Sequence, residues 1–210
     1  MIIDKSQFFT QEVSIIFDIF GDDIRLVGGC VRDFLLKKKI HDYDFACKLS
    51  PEKIMQKLTS KNIKNIPTGI DFGTVTAVIN HQNFQITTLR SDFNYNGRHC
   101  QVNFTDDFFE DAKRRDFTIN ALYVDKNGEL FDFFHGIDDI KNHKVRFIGD
   151  ANQRITEDYL RAFRFLRFSC EYAKEIDQIG LESCLKYQQF FKNISRERIR
   201  EEFFKILNSN

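Results

Sequence analysis

Leu26-Val27-Gly28-Gly29-Cys30-Val31-Arg32-Asp33, followed by Asp42-Tyr43-Asp44, is the stretch on which the reading of this 210-residue chain turns. Ile24 to Val27 is a short apolar run that reads as a strand; Gly28 and Gly29 break it, and Val31 to Leu36 continues as a helix. Glycines between a strand and a helix let a phosphate approach backbone N–H groups at the helix N-terminus. Arg32, in the first turn, adds a charged fork for the same phosphates. Tyr43 to Cys47 reads as a second strand. Asp42 and Asp44 are two apart on an extended segment, so their carboxylates project to one side. Two like charges on one face are costly unless something neutralises them, and Mg²⁺ is the usual answer. Read singly, a Gly-Gly turn and an Asp-x-Asp are also compatible with ordinary loops. Together they point to two metals held beside a bound triphosphate.

Outward from that stretch, residues 6 to 20 read as one amphipathic helix, with Phe9, Val13, Ile16, Phe17 and Phe20 near one face and Gly21 as its stop. Ser50 caps a helix that opens at Pro51 and runs to about Thr59. Gly73 to Asn80 and Asn83 to Leu89 read as strands joined by a tight polar connection. Ser91 to His99 has no period and reads as a mobile loop. Asp107 to Arg114 is a short helix, and Leu122 to Val124 and Glu129 to Phe131 form a hairpin around Asp-Lys-Asn-Gly. After Gly149 the strand signals stop, and Asn152 to Cys170, Asp177 to Gln188 and Arg196 to Leu207 read as helices. The chain thus divides into a mixed part, 1–149, and a helical part, 150–210.

Composition narrows the class. Hydrophobic residues at 42% and charged residues at 30% describe a globular chain rather than a disordered one. The formal net charge is zero, which argues against coating nucleic acid by bulk electrostatics. Basic residues are locally clustered at Lys37 to Lys39, Lys113 to Arg115, Arg161 to Arg167 and Arg196 to Arg200, enough for a phosphate site and equally compatible with solvated surface. Cysteines at 30, 47, 100, 170 and 184 have no metal-binding or redox spacing, which fits a reduced, cytoplasmic setting. The opening residues, MIIDKSQFFTQEV, lack the apolar core of a secretory leader, and no apolar run approaches a membrane span.

Gly-Gly-x-Val-Arg-Asp followed by Asp-x-Asp resembles motif A of the class II tRNA nucleotidyltransferase and bacterial poly(A) polymerase family. Arg114 to Ala121 (RRDFTINA) is similar to its motif B, and Asp132 to Ile140 to its motif C. Glu157-Asp158-Tyr159-Leu160-Arg161 resembles motif D, the amino-acid template for the incoming base, and Glu197 to Leu207 resembles motif E. The resemblance implies an α+β fold: a polymerase-β-like nucleotidyltransferase head with a mixed β-sheet and flanking helices, then an all-helical neck. It implies attack of an RNA 3′-hydroxyl on the α-phosphorus of CTP or ATP with release of pyrophosphate, building the CCA end of tRNA with Mg²⁺ as cofactor. Polyadenylation, CC-only or A-only addition, and a nucleotide-binding module with little catalysis are the alternatives. Asp42 and Asp44 are the expected catalytic metal ligands. Gly28, Gly29, Arg32 and Arg115 are expected on the nucleotide phosphates, Asp116 and Asn120 on the ribose side, and Arg164 and Arg167 on phosphate or in a structural role.

The expected template has a physical rationale. On a continuous helix, Asp158 and Arg161 are three apart and hence neighbours. A carboxylate only accepts hydrogen bonds and a guanidinium only donates. Cytosine and adenine each show an exocyclic amine beside a ring-nitrogen acceptor, which suits the pair. Uracil and guanine present the reverse order.

Two features depart from the family pattern. The strand Phe84 to Arg90 carries Gln85 where the family segment usually has Glu. Family members also continue past motif E into helical body and tail domains, whereas this chain ends at Asn210. The loop Arg90 to Arg98, with Tyr95-Asn96-Gly97-Arg98, resembles the flexible loop of members that complete the terminal A.

Overall fold

The computed structural model describes the backbone of residues 1–96 and 99–207, and the side chains of these except 92–101. The chain forms two compact units. The first comprises Met1–Ser91, Val102–Arg114 and Asn120–Phe133; the second comprises Asp92–Gln101, Arg115–Ile119 and Phe134–Asn210.

In the first unit, the apolar stretch near the N-terminus folds as two helices, α1 (Lys5–Phe8) and α2 (Gln11–Phe20), where periodicity suggests one. Thr10 between them is extended, and its hydroxyl accepts the Val13 N–H at 3.2 Å. A threonine that can cap a new helix outcompetes continuation of the old one. β1 (Ile24–Val27), α3 (Gly29–Leu35), β2 (Asp44–Cys47) and α4 (Pro51–Ser60) follow the sequence reading closely, with Ser50 capping α4. β3 (Lys64–Gly69) has no apolar alternation to announce it: it is a largely exposed edge strand containing Pro67. β4 (Thr74–Ile79) and β5 (Gln82–Thr88) are joined by a tight turn in which Asn80 and His81 both have positive φ.

The segment read as a loop is largely strand: β6 (Arg90–Asn96) and β7 (His99–Phe104) pair as a two-stranded sheet. Gly97 and Arg98 lie outside the described residues, as do the side chains of Tyr95 and Asn96. α5 (Phe108–Lys113), β8 (Leu122–Val124) and β9 (Leu130–Asp132) complete the first unit.

Seven strands make one sheet in the order β3-β4-β5-β2-β1-β8-β9. The β2–β5 pair is parallel and the other pairs are antiparallel, so the sheet is mixed, as expected. Register decides which side chains share a face. Leu26 sits opposite Phe45, and Phe45 beside Ile86; these, with Ile24, Cys47 and Phe84, are buried on the side where α2 and α4 pack. Asp44 sits beside Gln85, and alternation sends both to the opposite face.

The second unit is helical: α6 (Gly136–Lys141), α7 (Ala151–Glu157), α8 (Leu160–Tyr172), α9 (Gln178–Lys186) and α10 (Arg196–Leu207). Its core joins Phe117, Ile119, Val145, Phe147, Ile155, Phe165, Phe168 and Cys184. That core explains why compactness does not divide the chain at 149/150: Phe117 and Phe147 pack on Phe165, drawing 115–119 and 134–149 into the helical unit. Gly180 of α9 lies so close to the Phe165 ring that an added Cβ would sit 2.6 Å from it. The segment 152–170 is not one helix. It breaks at Asp158, whose backbone is extended (φ −153, ψ 108) and whose carboxylate accepts the Leu160 N–H at 3.1 Å. An aspartate offers the chain a local bond that competes with the helix ladder.

Candidate functional site

The first unit brings the glycine turn together with the start of β2, where Asp44 opens the strand and Asp42 lies two residues before it. Gly28 has φ 79 and ψ −125, a conformation that favours glycine, and it turns β1 directly into α3. Cys30, one residue past the turn, directs its thiol to the carbonyls of Val27 at 3.5 Å and Asp44 at 4.0 Å. The start of α3 is therefore pinned against the start of β2. Burial pushes the Cys30 thiol up to about 12, so it is a packing group and not a nucleophile.

Arg32 folds back over this turn: a Cβ added to Gly29 would lie 3.7 Å from its terminal nitrogen. Its guanidinium also donates to the Asn120 side-chain oxygen at 2.6 Å and to Asp33 at 2.9 Å, and the residue is buried. Gly28, Gly29, Arg32 and Asn120 thus form one cluster in the first unit. Arg32 lies in it as a fork already oriented by two oxygen partners.

Asp42, Asp44 and Gln85 line one cavity of about 550 Å³ on the open face of the sheet, with Tyr43, Thr68, Thr74, Thr76 and Asn83. Asp42 is exposed and Asp44 half-buried. The described residues lining the cavity are acids, amides, hydroxyls and apolar groups, with no lysine, arginine or histidine among them. Such an all-oxygen donor set suits a hard divalent cation. Among the described residues no group of three or more His, Cys, Asp or Glu side chains is placed to hold a metal ion, and the carboxylates lining this cavity are Asp42 and Asp44.

The second unit holds the remaining candidates, and it arranges them differently from the simple helical picture. Because Asp158 lies in the break between α7 and α8, it does not share a helical face with Arg161. Its carboxylate receives both terminal nitrogens of Arg198, at 3.2 and 2.7 Å. Its carbonyl accepts the Arg161 N–H at 2.9 Å, which keeps the two residues adjacent through the backbone. The Arg161 guanidinium is paired with Glu157 and donates to the Arg154 carbonyl at 2.9 Å. Arg154 also pairs with Glu157 and reaches the Arg115 carbonyl at 2.7 Å.

Asp116 receives a two-nitrogen fork from Arg164 at 2.8 and 2.6 Å. The charge of Asp116, opposing the effect of burial, raises the Arg164 pKa above its ordinary value. Arg167 donates to the buried Glu202 at 2.7 Å. Both arginines therefore have structural ion pairs.

Glu157, Arg198 and Glu202 are the partners that residue-level reading does not single out. Glu157 carries a local signal, since it stands four residues before Arg161. Arg198 is forty positions from Asp158, and nothing local in the sequence links them.

The poly A polymerase head domain family matches residues 24–146. The mitochondrial CCA tRNA nucleotidyltransferase 1 of Homo sapiens is 42% identical, covering 96% of this chain and 48% of its own length. Among solved structures, the Bacillus stearothermophilus CCA-adding enzyme in complex with CTP matches with a TM-score of 0.85 and 33% identity, over 95% of this chain and 48% of that one. A tRNA nucleotidyltransferase complexed with a primer tRNA and an incoming ATP analog matches with a TM-score of 0.73 and 26% identity, over 92% of this chain and 58% of that one. The chain spans about half the length of the curated relatives it matches. No helix among the described residues is long and apolar enough to cross a membrane.

Proposed function

Since the chain belongs to the poly A polymerase head domain family, we propose that it adds C and A to the 3′ end of tRNA from CTP and ATP, releasing pyrophosphate. The observation that carries this reading is the placement of Asp42 and Asp44 in one cavity, with the Gly28–Gly29 turn pinned against the same strand. Relatives solved with CTP, and with primer tRNA and an ATP analog, support the choice of substrates.

In this reading Asp42 and Asp44 hold Mg²⁺, which when bound supplies positive charge against the phosphate oxygens. The Gly28 and Gly29 backbone and the pre-oriented Arg32 hold phosphate oxygens, with Asn120 keeping Arg32 in place. In the second unit, Asp158 and Arg161 present an acceptor and a donor to the base, Arg115 serves phosphate and Asp116 the ribose side. Arg164 and Arg167 act through their ion pairs. A cytoplasmic setting is part of this reading, and the Homo sapiens relative is mitochondrial. Gln85, a neutral amide in the carboxylate cavity, is the observation favouring a second reading, a nucleotide-binding module with little catalysis.

The test is incubation with a tRNA lacking its CCA end, Mg²⁺ and labelled CTP and ATP, followed by sequencing of the extended ends. CCA ends support the proposal. Runs of A would reassign the chain to polyadenylation, and nucleotide binding without extension would favour the second reading.

A further inference from the structure

Gln85 is the Cα partner of Asp44 on the parallel neighbour strand, and both side chains line the same cavity as Asp42. Neighbouring strands lie about 4.8 Å apart and same-face side chains stand roughly parallel. An amide oxygen at this position therefore reaches the space that an ion on Asp44 would occupy. Other polar groups lining the cavity are engaged elsewhere or lie farther along. The hydroxyls of Thr68 and Thr76 pair at 2.8 Å, and Thr74 pairs with Thr87 at 3.0 Å. Asn83 is two residues along β5, about 7 Å from Gln85.

We infer that Gln85 is the neutral third oxygen donor of the cation site, so that two carboxylates and one amide together set its affinity. This rests on the reading that Asp42 and Asp44 hold a divalent cation. An amide oxygen is an acceptable ligand for a hard cation, but it brings no charge and cannot take up a proton near neutral pH. The site therefore carries two negative charges, and its affinity is sensitive to a third, because a unit charge about 4 Å away interacts strongly even at an effective dielectric of 20.

Mn²⁺ binding to the purified chain, followed by the electron paramagnetic resonance of the free ion, tests this without reference to turnover. Gln85 is exposed, so substitution there should leave the thermal melt unchanged. Gln85→Glu is expected to tighten Mn²⁺ binding by roughly fivefold to tenfold. Gln85→Met, similar in size but without the oxygen, is expected to weaken it by about twofold to fivefold. Asp44→Asn should weaken it most. If Asp44→Asn loses binding while both Gln85 variants superimpose on wild type, Gln85 is outside the site and the inference is overturned, with the carboxylate reading intact. If Asp44→Asn also matches wild type, the carboxylate reading falls and takes the inference with it.

Discussion

Asp158 is fixed from two directions, by Arg198 on its carboxylate and by the Leu160 and Arg161 backbone N–H groups, while Glu157 fixes the Arg161 side chain. A base-reading pair needs such support, because its selectivity depends on holding a donor and an acceptor at set positions. Asp158→Ala and Arg161→Ala are each expected to reduce the preference for CTP over UTP by about tenfold to a hundredfold, since a base edge loses its partner. Arg198→Ala should reduce it by a smaller factor, about fivefold, because that pair is about a quarter exposed, with side chains at 26% and 23%. Competition between CTP and UTP at equal concentration measures all three. Undiminished selectivity with only slower turnover would remove the template role. The sequence makes Asp158 and Arg161 visible as a pair with the right chemistry. It does not show that each has its own buttress, because the Arg198 partnership spans forty residues and exists only after α10 packs beside α8.

At the scale of elements, α8 and α10 are joined through Glu202. This carboxylate is 4% exposed, accepts Arg167 at 2.7 Å and Lys205 at 3.1 Å, and lies 3.8 Å from Arg164. Burial alone would raise its pKa, but the Arg167 hydrogen bond and charge, helped by Lys205 and Arg164, leave it below the ordinary value of 4.5. A carboxylate depressed on folding stabilises the fold above its unfolded pKa, and that contribution is lost as pH falls through the folded value. Glu202→Gln is therefore expected to cost about 2 kcal/mol near neutral pH, and the gap from wild type should close as pH falls well below 4.5. Thermal melts of both proteins at about pH 7 and about pH 3.5 check this; a gap that does not change with pH would contradict it. Element boundaries were legible where a cap or a glycine marked them, as at Ser50 and Gly28. They were not legible at Thr10 and Asp158, where a polar residue inside an apolar-periodic stretch chose to cap instead. β3 stayed hidden because an exposed edge strand needs no alternation.

At the scale of the molecule, the mixed sheet with its flanking helices matches the expected head, and the family match covers the strand, turn and strand around Gly28 and Asp44. The two units are not consecutive in sequence. Segment 115–119 leaves the first for the second and the chain returns at Asn120, a division set by where Phe117 and Ile119 find a core. Sequence periodicity records that these residues are buried, but not which core buries them. The central claim is that nucleotidyl transfer depends on the Asp42–Asp44 pair, and single-turnover incorporation of labelled CTP into a tRNA lacking CCA tests it most directly. Wild type with Mg²⁺ should extend the tRNA, and Asp42→Ala and Asp44→Ala should each fall by about a thousandfold or more with unchanged thermal melts, since their side chains line an open cavity. Incorporation by either variant at the wild-type rate would contradict the account.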